Sequence, residues 1–243
     1  MIDINKFDKV LKRVVKPARY IGMEFNSIVK DLDNVDVKFA FAFPDIYDVG
    51  MSHLGLHILY NLLNKQDSIA CERVFAPWVD MEEEMRKEGI PLFTLENKEP
   101  VGNFDFLGFT LQYEMSYTNI VNMLDLGNIP ILSENRGEDD PFVIAGGPCA
   151  YNPEPIADII DFFLIGEGEE ATLEILDLYR EFKKGNGNRK DFLKKVSQIQ
   201  GVYVPEFYEI QYNEDGTIKE MIPIMEGVPK VIEKRIVKDL NNV

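Results

Sequence analysis

The sequence predicts an α/β protein built on a doubly wound, mostly parallel sheet. Three observations carry that prediction. Short apolar runs rich in aromatic and β-branched residues alternate with stretches of helical period from about residue 37 to residue 185. Several of these runs are apolar at nearly every position, as strands buried on both faces are. Each is followed by a loop rich in glycine, proline or acidic residues before the next helical stretch. Repeated β-loop-α units of this kind form a parallel sheet with right-handed crossovers.

Taken in order, residues 3–16 read as an amphipathic helix, with Phe7, Val10, Leu11 and Val14 on one face and Pro17 as its stop. Residues 17–27 lack a period and read as an ordered lead-in. Val37–Phe43 is a strand ended by Pro44, and Leu54–Leu63 has helical spacing. Arg73–Ala76 begins a second unit, whose helix over Asp80–Lys87 ends at Gly89. Pro91–Thr94 predicts a further short strand. Asp105–Leu111 is nearly all apolar and precedes a helix capped by Ser116 and closed by Gly127. Phe142–Ala145 and Phe162–Ile165 are short buried strands, the second leading into a helix over residues 169–184. After the Gly185–Asn188 break come a short helix over 191–200 and strands within 202–234, with Asp215-Gly216 as a hairpin turn. The expected organisation is an N-terminal helix and arm (1–36), the α/β domain (37–185) and a helix and β-hairpin extension (186–243).

Composition narrows the function. The chain has 243 residues, of which 45% are hydrophobic and 28% charged, enough for a sizeable core. With 26 Lys and Arg against 42 Asp and Glu, its formal charge is −16, which disfavours direct contact with nucleic acid or an anionic membrane. No run of about 18 apolar residues and no basic start with an apolar core is present, so a cytoplasmic location is expected. The two cysteines, Cys71 and Cys149, are in no Cys-x-x-Cys or Cys-x-x-x-Cys spacing, so this chain cannot alone hold a four-cysteine zinc site or an iron–sulfur cluster. A disulfide between them is not expected in a reducing cell.

Ligands of open parallel sheets bind beyond the carboxyl ends of the strands, where the loops of this sequence are unusual. The first is Pro44–Gly55, long for its type and containing His53. Gln112–Tyr117 follows the third unit's strand, Gly146-Gly147-Pro148-Cys149 the next, and Gly166-Glu167-Gly168-Glu169-Glu170 the last. Glycine lets backbone approach a ligand closely, although any tight turn favours it. Three such loops at one sheet edge predict a broad, flat ligand. The carboxylates of the last loop suit a helix N-terminus and disfavour a pyrophosphate, and neither dinucleotide nor nucleoside triphosphate fingerprints occur. An amide-rich ligand of low net charge fits better.

Individual side chains carry less. His53 has the chemistry of a metal ligand or acid/base, but a capping or core histidine near a helix start is the reading preferred. His57 lies four residues on, a metal-binding spacing without a third ligand, and no metal site is expected. Asp45 and Asp48 can orient His53 or act as loop and cap residues. Cys149 is a candidate reactive thiol or a small buried residue, and Trp78 a core or interface residue.

Together, Phe43-Pro44-Asp45, Val49-Gly50-Met51-Ser52-His53-Leu54-Gly55, Ala145-Gly146-Gly147-Pro148 and Ile165-Gly166-Glu167-Gly168-Glu169-Glu170 resemble the N-terminal domain of cobalamin-binding-domain radical SAM proteins. Pro17–Gly22, Arg73–Trp78, Leu111–Glu114 and Ala157-Asp158 are similar to one uncharacterised branch, and the resemblance covers roughly residues 17–180. It implies a Rossmann-like, cobalamin-binding-type domain followed by a barrel that holds a [4Fe–4S] cluster on Cys-x-x-x-Cys-x-x-Cys and cleaves S-adenosylmethionine. That motif is missing here, so the cluster, S-adenosylmethionine and the reaction are expected in a C-terminal portion beyond this chain. The chain is expected to be an N-terminal fragment or truncated member, inactive alone, with its own barrel as partner.

The resemblance places Gly50, Met51, Ser52, His53, Gly55, Tyr113, Gly146, Gly147, Pro148, Gly166, Glu167 and Gly168 around a corrin and its tail. His53 stands five residues after Asp48 and two before Gly55, outside the Asp-x-His-x-x-Gly spacing. That implies a corrin bound without an axial histidine, or a domain that has lost the cofactor. No catalytic residue is expected in this portion. Two rivals remain: a docking module with an exposed apolar face around Trp78 and residues 202–212, and a standalone enzyme in which His53, Asp48 and Glu114 converge.

Overall fold

The computed structural model describes residues 1–238. Its strands are β1 (Val37–Phe43), β2 (Ile69–Phe75), β3 (Phe106–Thr110), β4 (Phe142–Gly146), β5 (Phe162–Leu164), β6 (Val202–Tyr203), β7 (Tyr208–Tyr212) and β8 (Ile218–Pro223). The helices are α1 (Ile4–Leu11), α2 (Ala18–Ile21), α3 (Tyr47–Gly50), α4 (Leu54–Asn64), α5 (Val79–Glu88), α6 (Tyr117–Leu126), α7 (Gly168–Phe182) and α8 (Arg189–Val196). One six-stranded sheet runs β2-β1-β3-β4-β5-β6, parallel up to β5, with β6 antiparallel at the far edge. The doubly wound, Rossmann-like α/β fold read from the sequence is the fold observed, and β7 and β8 form a separate antiparallel ribbon.

The alternation of β1 shows how the sheet acquires two faces. Ala40 and Ala42 point to the layer of α1, α5 and α6, where small side chains admit Met81, Met85 and Met123. Phe39, Phe41 and Phe43 point to the layer of α4, α7 and α8 and pack with Leu56, Leu63 and Phe192. Pro17 stops no long helix, because α1 ends at Leu11, although Val14 remains buried. Gly89 ends α5 in the left-handed conformation, where glycine carries no steric penalty. Ser116 stands at the N-cap of α6, but its hydroxyl bonds the Tyr113 carbonyl and caps nothing.

Strand β2 is longer than its sequence suggests, because the charges of Glu72 and Arg73 interrupt the apolar pattern and yet are buried. Both are paired: Glu72 accepts from Thr94 Oγ1 at 2.5 Å and from Asn97, and Arg73 binds Glu96 and Glu24 at 2.7 Å each. Glu24 comes from the N-terminal lead-in, and the other partners come from the end of the strand expected at Pro91–Thr94 and the residues just after it. That segment forms only an isolated bridge, Phe93 to Pro100, and serves as a cover for the sheet edge.

Past β8 the expected strand content ends, and the chain crosses back to the carboxyl end of β5. There Arg235 N–H donates to the Ile165 carbonyl at 2.9 Å, and Glu167 N–H donates to the Arg235 carbonyl at 3.0 Å. Residues 235–237 thus form a strap beside Gly166 in a one-residue parallel bridge. The last five residues of the expected 186–243 extension lie outside the described residues.

Candidate functional site

The strand order 2-1-3-4-5 reverses direction between β1 and β3, the place where open α/β sheets bind ligands. A cavity of about 250 Å³ opens there, at the carboxyl ends of β1, β3, β4 and β5 and beneath α4 and α7. Its sheet wall is Phe39, Phe41, Gly108, Ile144 and Leu164, and its helix wall is Leu59, Leu63, Thr172 and Ile175. The walls are mostly apolar, as is usual for the pocket of an organic ligand.

The mouth is made of the glycine loops. Gly55, Gly146, Gly147, Gly166 and Gly168 all line it, with His53, Gln112, Glu167 and Glu169 as its polar groups. Gly147 and Gly166 have φ of 106° and 112°, conformations that side chains rarely adopt. A side chain at Gly166 would also run into the backbone of the strap at Arg235. Gly168 lies between Leu59 of α4 and Thr172 of α7, and its missing side chain keeps the gap between the two helices open.

The structure therefore gathers seven of the expected residues: His53, Gly55, Gly146, Gly147, Gly166, Glu167 and Gly168. The other five stand outside the cavity lining. Gly50 is packed on Phe75 and Phe43, and Ser52 caps the Val49 carbonyl. Tyr113 is exposed, and Pro148 starts a 3-10 turn. Met51 faces a second cavity, where its sulfur lies 3.3 Å from Arg73 Nη1. Sequence reasoning missed the inner walls. Two signals were available: the every-second-residue phenylalanines of β1, and Gly108 in the middle of an apolar strand, where glycine marks close approach.

His53 acts as the N-cap of α4, its Nδ1 accepting from Leu56 N–H at 3.2 Å, with its ring against Phe43. His57 turns to the second cavity, with Nε2 2.8 Å from the Met51 carbonyl, so the two histidines serve different places. No group of three or more metal-binding side chains exists among the described residues. Neither aspartate orients His53. Asp45 bonds the Ile46 amide, and Asp48 binds Arg19 at 2.5 Å and Lys16 at 3.3 Å. The Arg19 hydrogen bond holds the Asp48 carboxyl below its ordinary pKa.

Cys149 lies beside Glu114, and burial first, then that carboxylate, push its thiol pKa up. It is the opposite of an activated nucleophile. His53, Asp48 and Glu114 thus have separate partners, and the standalone catalytic centre is not formed. Trp78 is 47% exposed beneath the Arg19 guanidinium, 5.6 Å from its ring centre.

The loop carboxylates are partly neutralised. Arg235 binds Glu170 at 3.3 Å and Glu174 at 3.0 Å, and Glu167 accepts from the Val237 amide. The expectation that this loop repels a phosphate is weakened by that strap.

Comparison with known proteins adds the following. A family model described as "Radical SAM proteins, N-terminal" matches residues 55–205. The uncharacterised protein MJ0966 of Methanocaldococcus jannaschii is 29% identical over 157 residues, which is 64% of this chain. The aligned region spans 28% of that relative's length. No solved structure matches. No helix among the described residues is long and apolar enough to cross a membrane.

Proposed function

The chain belongs to the family of N-terminal domains of radical SAM proteins, and from that premise we propose that it is the corrinoid-binding portion of a radical SAM enzyme whose catalytic barrel lies elsewhere. The observation that carries the reading is the cavity at the β1/β3 switch point, mostly apolar within and glycine-lined at its mouth. Those walls fit the planar tail of a cobalamin-type cofactor, and Gly146, Gly147, Gly166 and Gly168 leave backbone open to the corrin's amides. A bound corrinoid supplies radical or group-transfer chemistry at cobalt.

This chain's residues bind and orient. Phe41 and Ile144 on one side and Leu59 and Ile175 on the other exclude water from the slot. His53, committed through Nδ1 to the cap of α4, holds the rim and is not assigned as an axial ligand. The cluster and S-adenosylmethionine belong to the barrel, the domain's proposed partner. Titrating the purified chain with hydroxocobalamin tests the reading. A visible spectral shift and a raised melting temperature are expected, and their absence up to millimolar ligand would reject it.

A second reading, a docking module without cofactor, is favoured by one observation. Val49, Leu54, Trp78, Tyr113, Met115 and Tyr151 are all exposed in the loops, short turns and helix starts at the carboxyl edge. The other half of the face expected for it is only partly present: Val202, Tyr203, Val204 and Phe207 are buried, whereas Tyr212 is exposed. Binding of the separately expressed barrel with equal affinity in the presence and absence of hydroxocobalamin would favour this alternative.

A further inference from the structure

The glutamates around the first turns of α7 divide into two groups. Arg235 pairs with Glu170 at 3.3 Å and with Glu174 at 3.0 Å, and Glu167 accepts from the Val237 amide, so the strap serves these three. Glu169 is on another face: with Thr172 and Ile175, at three-residue spacing, it lines the cavity. Its Oε2 is closed off from solvent and has no hydrogen-bond partner among the described residues. Buried polar groups nearly always find a partner, and a carboxylate oxygen left without one is costly. The helix dipole favours a negative charge in the first turn, yet no N–H of α7 bonds that oxygen.

A carboxylate accepts hydrogen bonds and donates none, so the group that completes Oε2 is an N–H or an O–H. The mouth also holds a group with the complementary need. His53 Nδ1 accepts from Leu56 N–H at 3.2 Å, which puts the ring proton on Nε2, and that N–H has no partner among the described residues. A ligand edge that presents both a donor and a carbonyl oxygen answers both, as a primary carboxamide does and an amine or a carboxylate does not. We infer that Glu169 is a specificity-determining residue that accepts a carboxamide N–H at the edge of the bound ligand and turns away a carboxylate at the same place. The inference rests on the corrinoid reading, whose ligand carries such amides around its ring. It adds that the site discriminates against a corrinoid with that amide hydrolysed, through like charge and through a buried acceptor left unpaired.

The test is equilibrium dialysis of the full chain at neutral pH against three kinds of probe: cyanocobalamin; the separated monocarboxylic acids made by hydrolysing one of its propionamides; and the methyl esters of those acids, which are uncharged but lack the N–H. The wild-type chain is expected to bind cyanocobalamin about ten- to a hundredfold more tightly than one of the acids, the range of a hydrogen bond to a charged group. It should also bind cyanocobalamin more tightly than the ester of that acid. Glu169→Gln, whose side chain donates as well as accepts, is expected to remove the preference over the acid. Glu170→Gln, which removes the same charge one residue away and outside the cavity lining, is expected to keep it.

Equal wild-type affinity for cyanocobalamin and all of the acids, or for cyanocobalamin and all of the esters, would overturn the inference while leaving the corrinoid reading intact. So would a preference that survives in folded Glu169→Gln, or one lost as fully in Glu170→Gln, which would show a diffuse charge effect and no contact. Failure of every probe, hydroxocobalamin included, to bind the folded wild-type chain would reject both. Melting temperatures establish that each variant is folded, and the ester comparison, made on the wild-type chain alone, decides the matter if Glu169→Gln does not fold.

Discussion

The ring of Phe39 occupies the space that a side chain at Gly108 would need: a Cβ there would stand 2.5 Å from Phe39 Cζ. The two residues are on neighbouring strands, β1 and β3, and the pair closes the sheet wall of the cavity. Gly108→Ala is therefore expected to push the Phe39 ring into the cavity. The cost is about 1–3 kcal/mol, as for other overpacked cores, seen as a lower urea midpoint. Gly108→Ala with Phe39→Leu should recover part of that loss, since the two changes share one space, and a double-mutant cycle measures the coupling. Additive effects would show that the ring and the glycine are independent.

Asn64 substitutes for a neighbouring strand. Its side chain accepts from Cys71 N–H at 3.1 Å and donates to the Cys71 carbonyl at 2.9 Å, satisfying both backbone groups of an edge-strand residue that is fully buried. Asn64→Ala leaves those groups without partners, and a loss of about 1–3 kcal/mol is expected. Hydrogen exchange at Cys71 should accelerate by more than at Phe39. Unchanged exchange at Cys71 would mean that the pairing contributes nothing.

Acid should loosen the N-terminal arm through Glu24. Burial works against its charged form, but hydrogen bonds from Ser27 and Tyr47 and the Arg73 charge outweigh it, and its carboxyl pKa lies below the ordinary value. A carboxyl lowered in the folded state stabilises fully above its unfolded pKa of about 4.3. That contribution is lost as pH falls through the folded value. Tyr47, pushed up to about 12 by burial and by Glu24, remains a donor throughout this range. Glu24→Gln is expected to flatten the fall of stability below about pH 4.3 and to lower stability at neutral pH. An unchanged acid limb in denaturation midpoints would disprove it.

Both thiols should be sluggish. Cys71 is fully buried with its pKa raised well above the ordinary value, chiefly by burial, and Cys149 is raised by burial and by Glu114. Iodoacetamide at pH 8 is expected to modify Cys149 more slowly than a free cysteine, and Cys71 only on unfolding. Glu114→Gln should speed the Cys149 reaction. A rate equal to that of the free amino acid would contradict this environment.

How far the sequence was legible depends on where tertiary contacts override local pattern. β1 was read to the residue, because phenylalanine and alanine alternate from Phe39 to Phe43 and Pro44 ends it. β2 was read short because Glu72 and Arg73 look like surface residues. Only the fold reveals that Thr94, Glu96 and Asn97 lie ready to pair with them. For the candidate site the rim was legible, since glycine clusters after strands announce themselves. The interior was not. Thr172 sits at an ordinary helical position, and nothing local distinguishes a hydroxyl facing a cavity from one facing a carbonyl.

The strap gives the domain a mechanical address. Arg235 grips the sheet through its backbone and α7 through its guanidinium, so Val237, Gly166 and α7 are tied together at one point. Because Gly166 tolerates no side chain there, strap and cavity mouth meet at a single residue that cannot be padded.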